Sequence, residues 1–124
     1  MEAKQIKKTM RKYGRAWEKK NIELLLSCFT YEGIYQESPL TNPYKGNKEI
    51  KKFWNNVVIK NSDEIKFKLG KCYVSNDKKR GFAEWECKNK FRGKKVHMVG
   101  IMILRMKGDK ITYLNEYWNT KIIK

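Results

Sequence analysis

The chain has 124 residues, of which 40% are hydrophobic and 13% aromatic, and it carries a formal net charge of +16 at pH 7. This length predicts a single domain, and this hydrophobic content excludes a chain that stays disordered. No run of about 18 apolar residues occurs, so the sequence pattern excludes a membrane-spanning helix.

The cysteines and the first residues of the chain bear on its compartment. Cys28, Cys72 and Cys87 are odd in number and widely spaced, so they indicate neither a disulfide framework nor a zinc site. The charged residues at the amino terminus are not followed by the apolar stretch of a secretory signal. We therefore expect a cytoplasmic protein that does not act at a membrane.

The charge of +16 has two interpretations. A strongly positive protein attracts nucleic acid or acidic protein partners, which predicts a non-enzymatic binding module. Alternatively, the lysines form only a solvated surface, because they are scattered along the whole chain and greatly outnumber the arginines. We favour the second interpretation, since arginine is the better reader of bases and phosphates.

Three helices are predicted in the first half of the chain. Residues 4–20 form the first, and its apolar side chains repeat at spacings of four, three and four: Ile6, Met10, Tyr13 and Trp17. Asn21 is predicted to cap a second helix over residues 22–29, and Asn47 a third over residues 48–59.

The second half changes to the period of β-strands. Four segments of strand length alternate or run apolar, and turn sequences separate them: residues 64–74, 80–91, 94–107 and 110–120. Helices followed by strands predict an α+β fold, in which about three helices pack on a curved antiparallel sheet. Both faces of the third strand are apolar, which indicates that a second subunit covers the outer face.

Strand pleating predicts which side chains face the interior. In the last strand, Leu114, Glu116 and Trp118 share the apolar side. Glu116 is then open to two interpretations. It is either a carboxyl group aimed into an apolar pocket, with a raised pKa, or a strand-end residue that reaches water or a tyrosine hydroxyl.

Several motifs, taken together in their order and spacing, resemble the SnoaL-like branch of the nuclear transport factor 2-like superfamily, whose relatives include the ketosteroid isomerases. The motifs are YGRAWEKKNIELLLSCFTYEGIYQESP, YKGNKEIKKFW, GFAEWECKNKF and DKITYLNEYWNT. The resemblance covers nearly the whole chain as one domain, residues 1–124. It implies a cone-shaped, cystatin-like fold with a pocket between the helices and the concave sheet, and a homodimer formed through the sheet.

Within this resemblance, Tyr13 lies where the isomerases keep a tyrosine that donates a hydrogen bond to an oxyanion. Their catalytic aspartate precedes a proline, and that position is Ser38 here, with Glu37 expected on the other side of the strand. Their second oxyanion residue corresponds to Met102. Serine is no carboxylate base and a thioether donates no hydrogen bond, so steroid isomerisation of that kind is not expected.

We therefore predict a pocket for a small hydrophobic or aromatic molecule, with Glu116 and Tyr13 as candidate catalytic residues. The expected chemistry is that of an isomerase, cyclase or lyase that uses acid–base groups without a cofactor. His97 is the only histidine, so no histidine-rich metal site is expected. The candidate ligand-binding residues are Trp17, Trp54, Trp85, Cys87, Met98, Met102, Leu114 and Trp118. The alternative is that these side chains simply fill the core.

Overall fold

The computed structural model describes residues 1–124 and contains three helices and six strands. The helices are α1 (Ala3–Lys19), α2 (Ile22–Ser27) and α3 (Gly46–Phe53), and a π-helical turn (Trp54–Ile59) continues α3. The strands are β1 (Phe29–Gln36), β2 (Tyr44–Lys45), β3 (Ser62–Val74), β4 (Gly81–Phe91), β5 (Lys94–Lys107) and β6 (Lys110–Ile122).

All six strands form one sheet in the order β2-β1-β6-β5-β4-β3. Strands β3 to β6 form the antiparallel meander that the turn sequences predicted. Strand β1 pairs in parallel with β6, so β6 is an interior strand with neighbours on both sides. The helices pack on one face of this sheet, which confirms the predicted α+β class.

Of the two helix caps predicted from the sequence, the structure confirms one. Asn21 caps α2 as predicted, because its side-chain oxygen accepts the backbone N–H three residues later at 3.0 Å. Asn47 does not cap α3, which begins one residue earlier, at Gly46. Instead, the Glu49 carboxylate accepts the backbone N–H of Lys45 at 3.0 Å, so the capping contact comes from inside the helix.

An irregularity in β1 determines which of its residues face the interior. Phe29, which was predicted to end the second helix, begins this strand. Phe29 and Ile34 lie five positions apart but pair with residues of β6 that are only two positions apart. The extra residues bulge outward, so Tyr31 is 80% exposed, whereas Phe29 and Tyr35 on either side of the bulge both face the interior.

The core lies between the inner face of the sheet and the helices. Three of the four residues on the predicted apolar face of α1, namely Ile6, Met10 and Tyr13, are fully buried in it. No helix combines the length and the apolar character needed to cross a membrane. No three histidine, cysteine or acidic side chains are grouped so that they could hold a metal ion.

Candidate functional site

Glu116 lies on the inner face of β6 and is 5% exposed. Its Oε1 atom accepts hydrogen bonds from two tyrosine hydroxyls, that of Tyr13 and, at 3.0 Å, that of Tyr35. The two hydroxyl oxygens are 2.9 Å apart, so the three side chains form one hydrogen-bonded cluster. The inward direction predicted for Glu116 is therefore confirmed, and the carboxyl group is bonded to tyrosine hydroxyls as well as buried.

The two tyrosines reach Glu116 from different elements. Tyr13 projects from the buried face of α1. Tyr35 pairs with Leu114 across the parallel β1–β6 contact, which places it two residues along the strand from Glu116. Tyr35 was not predicted as a site residue, because the pairing of β1 and its irregularity are not visible in the local sequence.

Burial raises the pKa of the Glu116 carboxyl to about 7, although the hydrogen bonds from Tyr13 and Tyr35 oppose this shift. Burial, followed by the charge on Glu116, raises the pKa of both tyrosine hydroxyls well above their usual value. Both hydroxyls therefore stay protonated near neutral pH and act as donors. Under the same conditions Glu116 can either release or take up a proton.

A cavity of about 240 Å³ opens beside this cluster, and we call it the Glu116 cavity. Its walls come from α1, the end of β1, α3 with its π-helical turn, the start of β3, and the inner faces of β4, β5 and β6. The lining residues are Trp17, Tyr35, Glu37, Phe53, Val57, Val58, Ser62, Asn89, Phe91, Val96, Met98, Glu116, Trp118 and Thr120. Three of the eight predicted ligand-binding residues, Trp17, Met98 and Trp118, are among them.

The other five predicted ligand-binding residues lie outside the Glu116 cavity: Trp54, Trp85, Cys87, Met102 and Leu114. Trp54 and Leu114 are fully buried in the core. Trp85, Cys87 and Met102 surround a void of about 10 Å³ on the other side of Glu116. Such a void holds about one water molecule at most, so these side chains fill the interior instead of lining an open space.

The residue that faces the cavity just before Pro39 is Glu37, and not Ser38 as predicted. The sequence placed Ser38 on the pocket side and Glu37 on the opposite side, but Glu37 lines the cavity and Ser38 does not. Tyr35 faces the interior, and simple alternation carries the residue two positions later to the same side. The backbone oxygen of Glu37 accepts a hydrogen bond from the indole N–H of Trp118 at 2.6 Å. Burial raises the pKa of the Glu37 carboxyl group.

A larger concavity, of about 1040 Å³, lies elsewhere, on the surface beside the turn between β3 and β4. It is lined by basic side chains, including Lys79, Arg80 and Arg105. None of the buried ionisable groups with a shifted pKa lines it. The two carboxyl groups whose pKa burial raises, Glu37 and Glu116, instead line the smaller Glu116 cavity.

His97 lies on the outer face of the sheet, as its position in the strand predicted. Its Nε2 atom is 3.1 Å from a carboxylate oxygen of Glu86. The Glu116 cavity contains neither of these residues. The histidine therefore takes no part in the acid–base cluster described above.

Comparison with known protein families identifies one family that matches this chain. Residues 10–114 match the model of a family described as SnoaL-like domain. A comparison with curated proteins gives no match.

Several solved structures have a similar fold. A Bacillus subtilis protein described as a candidate isomerase has a TM-score of 0.84 at 17% identity, over 96% of this chain and 90% of that chain. The Δ5-3-ketosteroid isomerase of a Mycobacterium species has a TM-score of 0.79 at 14% identity, over 96% and 98%. An epoxide hydrolase of Mycobacterium tuberculosis has a TM-score of 0.77 at 8% identity, over 96% and 86%. At these sequence identities, the structural likeness shows that this chain shares the fold of those proteins.

Proposed function

Because the chain belongs to the SnoaL-like domain family, we propose that it is an enzyme whose cavity binds a small hydrophobic molecule and uses Glu116 as an acid–base group. The observation that carries this proposal is a carboxyl group that is only 5% exposed, with a pKa of about 7, at the wall of an open cavity. A general acid or base works best when its pKa lies near the working pH. Similar folds named for isomerase and epoxide hydrolase activity support this choice.

The hydrogen bonds of Glu116 suggest how it would transfer a proton. Both tyrosine hydroxyls bind Oε1, and Oε2 has no hydrogen-bond partner within the chain. Oε2 is also absent from the fully enclosed polar atoms that lack a partner, so it reaches open space. We therefore assign proton transfer to Oε2, while Tyr13 and Tyr35 hold the carboxyl group in place.

Glu37 supplies a second carboxyl group to the same cavity. It is less buried than Glu116, so burial disfavours its ionised form less strongly. Two carboxyl groups in unequal environments can divide the roles of acid and base at one pH. In this proposal, ionised Glu37 is the base and protonated Glu116 is the acid, in an isomerisation, cyclisation or elimination.

The dimensions of the cavity limit the ligand. Its volume of about 240 Å³ lies below the roughly 300–1,000 Å³ of pockets for drug-sized ligands. It corresponds to about eight water molecules at ~30 Å³ each. Phe53, Val58 and Trp118 contribute apolar walls, so a compact molecule with a hydrophobic or aromatic body fits best.

A thermal-shift screen of a metabolite library tests the proposal. The parent chain should be stabilised by its ligand, by about 2.7 kcal/mol when the ligand is present at 100 times its Kd. A Val58→Trp variant, which fills the cavity, should lose this shift. A Glu116→Gln variant should keep most of it and should turn the ligand over about 10²–10⁴ times more slowly.

The control for Glu116→Gln is Glu32→Gln, because Glu32 is an exposed glutamate of β1 that does not line the cavity. The proposal fails if every compound that stabilises the parent stabilises Val58→Trp equally. An oligonucleotide in the same screen tests the alternative of a basic binding module. We expect no shift from it at physiological salt, whereas a shift that falls steeply with salt would favour the alternative.

We also propose that two copies of the chain pair through the outer face of the sheet. Val99 is 52% exposed and Tyr117 is 42% exposed, and both line an open depression on that face together with Ile101. Sedimentation of the parent should show a dimer, and Val99→Lys should shift it to a monomer. Because each copy carries a charge of +16, the dimer should tighten as salt increases. A parent that sediments as a monomer at all salt concentrations would exclude this pairing.

A further inference from the structure

The Glu116 cavity is lined by two carboxyl groups that lie side by side. Parallel pairing of β1 with β6 puts Gln36 opposite Asn115. Glu37 and Glu116 are the next residues on these two segments, and neighbouring strands lie about 4.8 Å apart. Burial has the largest effect on the pKa of Glu116, and the negative charge of Glu37 raises it further. The two carboxyl groups therefore share one space and repel each other when both are ionised.

No basic side chain balances this pair. The chain has 29 lysine and arginine residues, yet no lysine, arginine or histidine lines the cavity. Burial raises the pKa of both carboxyl groups, and no lysine or arginine lies near enough to lower either value. The Oε2 atom of Glu116 has no partner within the chain and reaches open space. Since ionised groups without a counter-charge are costly to bury, the cavity favours a ligand that brings a positive charge.

Lysines do reach the opposite end of the cavity. A depression of about 270 Å³ shares Asn89 and Val96 with the cavity lining. It carries four lysines: Lys66, Lys88, Lys90 and Lys95. On β5, Val96 lies six residues from Met102, the partner of Glu116, which is about 20 Å of strand at ~3.3 Å per residue. A cation is therefore favoured at the end formed by Glu37 and Glu116, which we call the carboxyl end.

The remaining walls select the kind of cation. They are mainly apolar or aromatic, and Phe53, Val57 and Trp118 are among them. A metal ion needs several oxygen ligands, and no three histidine, cysteine or acidic side chains group to hold one. A quaternary ammonium group has no N–H to satisfy, packs its methyl groups against apolar walls, and is attracted to the faces of aromatic rings. The indole N–H of Trp118 donates to the backbone oxygen of Glu37 at 2.6 Å, so this ring lies beside the carboxyl end.

We propose that the carboxyl end of the Glu116 cavity binds a quaternary ammonium group, with Glu37 and Glu116 as its counter-charges and Trp118 as the aromatic surface beside it. This inference rests on the proposed function, because it assumes that the Glu116 cavity binds a ligand. Glu37, the ionised carboxylate of that proposal, supplies the charge at neutral pH, and Glu116 adds to it at higher pH. The inference adds the ligand class: a compact organic cation with an alkylated nitrogen.

Choline and its uncharged carbon analogue, 3,3-dimethylbutan-1-ol, provide the test, because they have the same shape and differ in charge. Their dissociation constants are measured by calorimetry on the full chain at pH 9. In a purely apolar cavity the alcohol would bind more tightly, since the ammonium group would lose its hydration without compensation. We expect instead that choline binds the parent at least about tenfold more tightly than the alcohol.

Three variants locate the charge preference. Glu37→Gln should weaken choline about tenfold and leave the alcohol within about twofold, which also shows that the variant keeps its fold. Glu116→Gln and Trp118→Leu should each weaken choline severalfold more than they weaken the alcohol. Glu32→Gln is the matched control, because Glu32 is an exposed glutamate that does not line the cavity. It should change neither constant.

The salt dependence separates the cavity from the surface of the chain. The net charge of +16 repels a cation at long range. Salt screens this repulsion strongly, whereas it screens the contact between the ammonium group and the buried carboxyl groups much less. Binding of choline should therefore hold or tighten as the salt concentration rises. A choline affinity that falls steeply with salt would place the cation on exposed carboxylates and would overturn the inference.

An alcohol that binds the parent as tightly as choline would also overturn the inference, as would equal losses for both probes in Glu37→Gln. If the alcohol or another neutral compound binds in the cavity and choline does not, the ammonium inference falls and the proposed function stands. If neither probe nor any library compound shows binding that Val58→Trp abolishes, both fall.

Discussion

Replacing Glu116 by glutamine is expected to raise the free energy of unfolding by about 3 kcal/mol at pH 9 and to change it little at pH 4. The pKa of this carboxyl is about 7 in the folded chain, against a usual value of 4.5. Each pKa unit corresponds to about 1.4 kcal/mol, so ionised Glu116 destabilises the fold by about 3 kcal/mol. Glutamine keeps the oxygen that accepts the tyrosine hydroxyls and never ionises.

The direction of this pH dependence follows from the binding of a proton to Glu116. Between pH 4.5 and 7 the folded chain holds a proton on Glu116 that the unfolded chain has released. The contribution of this group to stability is therefore complete below pH 4.5 and is lost as the pH rises through 7. Urea unfolding at a series of pH values measures it, with Glu32→Gln, at an exposed glutamate, as control. An equal gain at pH 4 and pH 9 would show that Glu116 is not held protonated by burial.

The sequence was sufficient to predict that the Glu116 side chain points into the interior, and to predict the general architecture. Alternation along β6 depends only on strand pleating, which no tertiary contact reverses unless a bulge intervenes. The apolar spacing on α1 likewise placed Tyr13 in the interior. Both predictions rest on regular local geometry, and both residues meet in the hydrogen-bonded cluster.

The rest of the site depends on contacts between distant segments. Tyr35 reaches Glu116, 81 positions away in the chain, only because β1 pairs in parallel with β6. Glu37 lies two positions after the buried Tyr35 and lines the cavity, which reversed the prediction for Glu37 and Ser38. That prediction followed the position of the isomerases' aspartate before the proline, and not the alternation of side chains along this segment.

The position of the cavity could not be predicted from the sequence either. Alternation correctly placed Trp85 and Met102 on the inner side of the sheet, where they are 5% and 0% exposed. Whether an inward side chain borders an open space or fills it depends on how the opposing helices pack. Here the space opens towards α3 and its π-helical turn, at Phe53, Val57 and Val58, and closes at Met102.

Tyr13→Phe is expected to lower the free energy of unfolding by about 2 kcal/mol at pH 9, because hydrogen bonds to charged groups are worth roughly 1.5–3 kcal/mol. The hydroxyl of Tyr13 stays protonated at pH 9, since burial and the charge of Glu116 raise its pKa. At pH 4 the carboxyl is neutral, and the loss should fall to about 1 kcal/mol. Tyr35→Phe should behave in the same way, and either change should move the pKa of Glu116 above 7.

A double-mutant cycle separates this effect from simple loss of packing. In the Glu116→Gln background, Tyr13→Phe should cost about 1 kcal/mol at both pH values, since a neutral amide replaces the carboxylate. The cost of Tyr13→Phe should therefore depend on pH in the parent alone, so the coupling energy between the two sites should be larger at pH 9 than at pH 4. A cost that is the same in both backgrounds and at both pH values would mean that Tyr13 only fills space. In that case the fold would rely on Tyr35 alone to hold the buried carboxylate of Glu116.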